Sequence, residues 1–143
     1  MSNTASKAGA GALTPTGSVA PDDAWWRKLF AVIDARDAAG FVALLTADAQ
    51  FRFGNAPTLV GSDAIRTAVS GFFASIASCS HRLIRTWIAP PWVACEGEVT
   101  YLRHDGSAVT VPFADVFELR GTLISIYRIY IDNSPLFSQG TGK

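Results

Sequence analysis

Cysteine and histidine are scarce in these 143 residues, with two of each. Cys79 and Cys95 form no CxxC pair, so they read as small, buried, reduced thiols, not as a redox centre. Together with His81 and His104 they meet none of the ligand spacings of a zinc site, and no metal is expected. No GxGxxG, P-loop or GxSxG string occurs, so the chemistry expected is free of cofactors. Neither sign of charge prevails: twelve Lys and Arg face twelve Asp and Glu without a long like-charged run. The basic footprint that attracts phosphate backbones is missing, and nucleic acid is not an expected partner. No stretch approaches the ~20 consecutive apolar residues of a membrane span. The first 20 residues lack the unbroken apolar centre of a signal peptide, so a cytoplasmic protein without a membrane partner is expected.

What the chain does hold is apolar bulk. Nearly half of it is hydrophobic, with nine Phe, four Trp and three Tyr, a rich core for one domain of 15.2 kDa. Residues 1–20 are small and almost uncharged, too poor in bulky side chains to offset the entropy of ordering, and are expected to form a disordered tail. Residues 138–143 are expected to fray likewise, which leaves a folded domain over residues 21–137.

That domain reads as helices first and strands afterwards. Asp22 or Asp23 can cap a helix carrying Trp25, Trp26, Leu29, Phe30 and Ile33 at helical spacing. Beyond the break at Asp37–Gly40, Phe41, Leu44 and Leu45 continue the spacing in a second helix. Ala49 to Phe53 reads as a short strand, and Gly54–Pro57 as a turn. Ser62 opens a third helix with Ile65, Val69, Phe72, Phe73 and Ile76 three or four apart, ending near Ser78. Strands follow over His81–Ile88, Trp92–Arg103, Val109–Leu119 and Leu123–Ile131, with hairpin chemistry at His104–Ser107 and Arg120–Thr122. The order predicts an α+β domain with an antiparallel meander. On the last strand Ile129 and Ile131 point one way and Ile124, Ile126 and Tyr130 the other, so both sheet faces look apolar. Three helices can cover one; the outer face predicts a second copy of the chain. Arg128, Tyr130 and Asp132 are expected on that outer side.

One acid stands out. In Val111–Leu119, alternation places Val111, Phe113, Asp115, Phe117 and Leu119 on a single face. Asp115 thus lies among large apolar side chains, where an unpartnered carboxylate tends to keep its proton. It can donate a hydrogen bond to a carbonyl or enolate oxygen, or act as a base. The competing reading is a purely structural hydrogen bond to Tyr101 or Tyr127. Secondary candidates are His81, at a pocket mouth, and Glu98, which with Thr100 is expected to face inward near the rim. Phe53, Phe113 and Phe117 are the expected aromatic wall of a cavity for a flat hydrophobic ligand, joined by Trp26, Leu29 and Ile129.

The helical pair, the capped helix beginning GSDAIRTAV, and the stretches FVALLTADAQFRF and ELRGTLISIYRIYID resemble the nuclear transport factor 2-like superfamily over about Pro21 to Phe137. The texture is most similar to its SnoaL-like polyketide cyclase and ketosteroid isomerase-like branches. The resemblance implies a cone-shaped half-barrel, three N-terminal helices packed on a curved, mainly antiparallel sheet, with a deep apolar pocket and a homodimer. It also implies an inward acid/base Asp on the strand before the closing hairpin, where Asp115–Leu119 falls. The isomerase's general-base carboxylate would fall at about Phe53 and its tyrosine at about Leu29. The water-activating triad of the limonene epoxide hydrolase branch would fall near Glu98, Thr100 and Ile129. Neither set is present. The function implied is a cofactor-independent acid/base enzyme acting on a hydrophobic carbonyl-containing or polycyclic small molecule, by isomerisation, aldol-type cyclisation or dehydration. The alternative is a non-catalytic small-molecule-binding or dimeric accessory protein of the same fold.

Overall fold

A computed structural model describes residues 20–138; the expected tails over 1–20 and 138–143 lie outside that range except for Ala20 and Ser138. Helix α1 spans Asp23–Asp34, and the Asp22 carboxylate caps it by accepting from the Trp25 N–H at 2.9 Å. Its buried stripe is Trp26, Leu29, Phe30 and Ile33. Helix α2, Ala38–Val42, is a short piece capped by Asp37, which accepts from the Gly40 N–H. The glycine leaves room for the cap, since a Cβ there would make the Asp37 carboxylate shift.

The expected continuation of this helix through Leu45 is corrected: α2 stops at Val42, and Leu45 opens strand β1, Leu45–Phe53. So short a helix gains little from propagation, and the Leu44 carbonyl is instead captured by the Ile124 N–H. Strand β2, Leu59–Val60, had no sequence expectation and pairs antiparallel with β1. Helix α3, Ser62–Ala74, buries Ile65, Val69 and Phe73. It ends earlier than expected, where the Ser75 hydroxyl bonds the Phe72 carbonyl and the His104 ring bonds that of Ala74.

The meander follows: β3 Ser78–Ala89, β4 Trp92–Leu102, β5 Ala108–Arg120 and β6 Leu123–Ile131. A last turn of helix, α4 Ser134–Phe137, buries Leu136 and is held by the Arg103 guanidinium on the Pro135 and Leu136 carbonyls. The six strands form one curved, unclosed sheet in the order β2-β1-β6-β5-β4-β3, with β1 parallel to β6 and every other pair antiparallel.

One face of the sheet holds the core with α1 and α3, including Val93, Cys95, Val99, Tyr101, Val111, Phe113, Phe117, Leu119, Ile124 and Tyr127. The placement of Ile124 on the outer face is corrected: a bulge between Glu118 and Leu119 pairs Leu119 with Ile124 and Glu118 with Ile126, which turns Ile124 inward. Trp87, Ile88, Trp92 and Tyr130 are exposed, beside the ion pairs Arg82–Glu98 and Arg85–Glu96. Among the described residues no helix is long and apolar enough to cross a membrane.

Candidate functional site

A cavity of about 150 Å³ lies within the curve of the sheet, under α3 and the end of α1. Phe41, Phe51, Phe53, Phe72, Phe73 and Phe113 contribute its walls, and the exposed Ala56, Pro57 and Ala68 form its open side. The wall is an interlocked set of rings. Phe53 meets Phe72 edge to face at 4.8 Å between centroids, Phe72 meets Tyr101 at 5.7 Å, and Phe51 meets both Phe41 and Tyr127 at 5.5 Å.

Asp115 borders this space and is 2 % exposed. The β5 register puts it opposite Cys95 on one side and Ile129 on the other. Its Oδ2 accepts from the Tyr127 hydroxyl at 3.4 Å and from the Cys95 thiol at 3.8 Å. Its Oδ1 is buried and has no partner among the described residues. Burial raises the Asp115 pKa well above the usual carboxylate value, and the bonds from Tyr127 and Cys95, which favour the anion, do not offset it. The site therefore favours the carboxylic acid. Since both protein donors converge on Oδ2, the proton belongs on Oδ1, the oxygen left for a ligand. Tyr127 is likewise pushed up by burial and next by the Asp115 charge, so it stays a hydroxyl donor.

A second polar group reaches the same cavity. His81 lies near the start of β3, with its ring tilted on Phe30 and its edge against Phe113 at centroid distances of 5.0 and 5.3 Å. Its Nδ1 is 2.5 Å from Asp34 Oδ1, and its backbone N–H donates to Asp34 Oδ2 at 3.1 Å. Asp34 is the last residue of α1. Two residues on, the Arg36 guanidinium holds the carbonyls of Phe73 and Ile76 and ties this corner to α3. A carboxylate at Nδ1 fixes the tautomer with the proton there, which leaves Nε2 as the nitrogen free to exchange a proton.

Cys79, two residues before His81 on the same face, brings its thiol 3.8 Å from Asp34 Oδ1, so ligand atoms of Asp34, Cys79 and His81 lie within 4.8 Å of one another. The sequence reading, which found no ligand constellation, missed this cluster. Burial and the Asp34 charge push the Cys79 thiol up to about 12. It therefore stays a donor, with the Ile33 carbonyl at 3.5 Å and the Asp34 carboxylate as its acceptors.

Of the other expected site residues, Phe53, Phe113 and Ile129 line the cavity. Phe117 is fully buried outside the lining, packed on Tyr127 at 4.5 Å and on Trp25 and Trp26. Trp26 is core beside it, and Leu29 borders a separate hollow with Lys28 and Leu123. The inward placement of Glu98 and Thr100 is corrected. With Asp115 inward and paired to Cys95, strand parity turns both outward, where Glu98 binds Arg82 at 2.8 Å and Thr100 binds Thr110. Alternation could have shown that Cys79 and His81 share a face; nothing local to Asp34 marks it as their partner.

A profile described as SnoaL-like domain matches residues 26–127. Among solved structures, the chain is similar to a candidate polyketide cyclase from Xanthomonas campestris pv. campestris, at 16% identity and TM-score 0.71, covering 81% of this chain and 93% of that one. A protein with a ketosteroid isomerase-like fold from Catenulispora acidiphila, in complex with trimethylamine, matches at 17% identity and TM-score 0.69, covering 77% and 86%. A nuclear transport factor 2-like protein from Anabaena variabilis matches at 20% identity and TM-score 0.68, covering 76% and 84%. At these identities the likeness shows the fold. Comparison with curated proteins finds no match.

Proposed function

The chain belongs to the SnoaL-like domain family, and from that premise we propose that it is a cofactor-independent acid/base enzyme. It moves a proton on a hydrophobic, carbonyl-containing small molecule, in an isomerisation, aldol-type cyclisation or dehydration. The observation that carries this reading is the buried, unpartnered Oδ1 of Asp115, a residue that borders a cavity also lined by His81, whose ring is held from behind by Asp34.

The role of Asp115 follows from the acid form that its burial favours, and that of His81 from its place on the cavity wall with Asp34 behind it. Asp115, held as the acid, donates through Oδ1 to the substrate oxygen and stabilises the enolate that forms as a C–H bond breaks. His81 Nε2 takes the proton from that carbon, and Asp34 balances the resulting imidazolium. The proton then returns from His81 to another position of the same framework, or to a departing hydroxyl. The aromatic wall excludes water from the enolate.

Exchange of hydrogen beside a carbonyl tests this without knowledge of the natural substrate. Uncharged ketones incubated with the protein in D₂O are followed by proton NMR. Asp115→Asn and His81→Asn are each expected to slow enzyme-dependent exchange by ~10²–10⁴-fold. Exchange unchanged in both variants, or never faster than in buffer for a ketone that binds, refutes the enzymatic reading and leaves a binding protein. The exposed Trp87, Trp92 and Tyr130 support a homodimer through the outer sheet face, and two free buried thiols suit a reducing, cytoplasmic setting.

A further inference from the structure

We infer that the ligand of this cavity is an uncharged, single-ring compound bearing one hydrogen-bond-accepting oxygen, a monocyclic ketone or aldehyde and not a fused polycycle or a carboxylate. The inference rests on the acid/base reading for the fate of the ligand, but not for its binding.

Three observations carry it. The first is size. A cavity of about 150 Å³ is of the order that a single benzene ring fills. Inward of its open side, enlarging it means parting the edge-to-face contacts of Phe53 with Phe72 and of Phe51 with Phe41 and Tyr127, and packed aromatic walls yield poorly. The second is charge. No Lys or Arg borders the cavity among the described residues. The one basic group there, His81, already faces the Asp34 carboxylate, so a buried anion would find no free countercharge. The third is polarity. Oδ2 of Asp115 is occupied by Tyr127 and Cys95, while Oδ1 is buried and empty-handed. An acid with its proton on the open oxygen calls for an acceptor on the ligand. In the sheet register Phe113 separates the row of Asp115 from that of His81, and its ring packs against the imidazole, so a ligand oxygen held at Asp115 lies beside an aromatic wall and away from any free charge.

The test is a matched series titrated by calorimetry into the full-length protein: acetophenone, ethylbenzene, benzoate and 9-acetylanthracene. Acetophenone is expected to bind one per chain and about tenfold or more tighter than each of the others. In Asp115→Leu its advantage over ethylbenzene should vanish while ethylbenzene still binds, which also shows that the variant folds. Asp115→Asn, which keeps a donor, should retain most of the preference. Benzoate or 9-acetylanthracene binding as tightly as acetophenone overturns the assignment, as does a ketone preference that survives in Asp115→Leu. Because the readout is binding, an intact affinity ladder without hydrogen exchange refutes only the enzymatic reading. Exchange with a polycyclic ketone bound tightest refutes only the ligand class.

Discussion

The carboxyl of Asp115 is more costly to ionise in the folded chain than in the unfolded one, and this gives it a signature separate from catalysis. Its folded pKa is raised above the ordinary value of 3.8. Its contribution to stability is therefore whole below that value and is lost as pH rises towards the folded pKa. An amide of the same shape has no such loss. Relative to wild type, Asp115→Asn should gain stability as pH climbs from about 4, by at most about 1.4 kcal/mol per pH unit. Urea denaturation of both proteins between pH 4 and 8 gives the difference, in which the titration of all other groups cancels. A flat difference over that range means an aspartate that behaves as if free in water. Asp115 was legible in the sequence because one acid broke an apolar alternation within a single strand. Glu98 was not, since its facing depends on the register of β4 against β5. Asp34 was not, since its partner is 47 positions away and packing alone joins them.

At the scale of the element, the curve of the sheet is what makes room for the cavity, and Gly97 stands at one of its tightest points. A Cβ at this position would lie 2.2 Å from the Arg82 carbonyl oxygen on β3 and 3.1 Å from the Phe113 ring, next to the irregular register between Leu83 and Arg85. The obstacle is backbone, which cannot swing aside as a side-chain tip would. Gly97→Ala should cost about 1–3 kcal/mol by overpacking, read from the denaturation midpoint. By pushing β3 it should also shift the His81 side-chain NMR signals; an unmoved midpoint would show the strands to be looser than this contact requires. The same kind of feature limited what could be read from sequence. Strand and helix types followed from periodicity, whereas the bulge that turns Ile124 inward and the capture of Leu44 by Ile124 depend on the neighbouring strand.

For the whole molecule, helices followed by a meander were enough to read an α+β domain, and the half-barrel came from the family resemblance, yet the parallel pairing of β1 with β6 joins distant segments and left no local mark. Trp87 and Tyr130 are about half exposed, and Arg82–Glu98 and Arg85–Glu96 lie beside them, so aromatic anchors are bordered by polar pairs, as in a protein interface. The proposed homodimer should run in light scattering at twice the 15.2 kDa of one chain. Trp87→Glu, which replaces an aromatic anchor of the patch with a carboxylate, should return it to the mass of one chain at micromolar concentration. Because the cavity lies on the opposite face of the sheet, the affinity for acetophenone should change by less than about threefold in that variant. A wild-type protein already at 15.2 kDa would assign the patch to another partner, and loss of ketone binding on dissociation would mean that the second copy braces the sheet around the ligand.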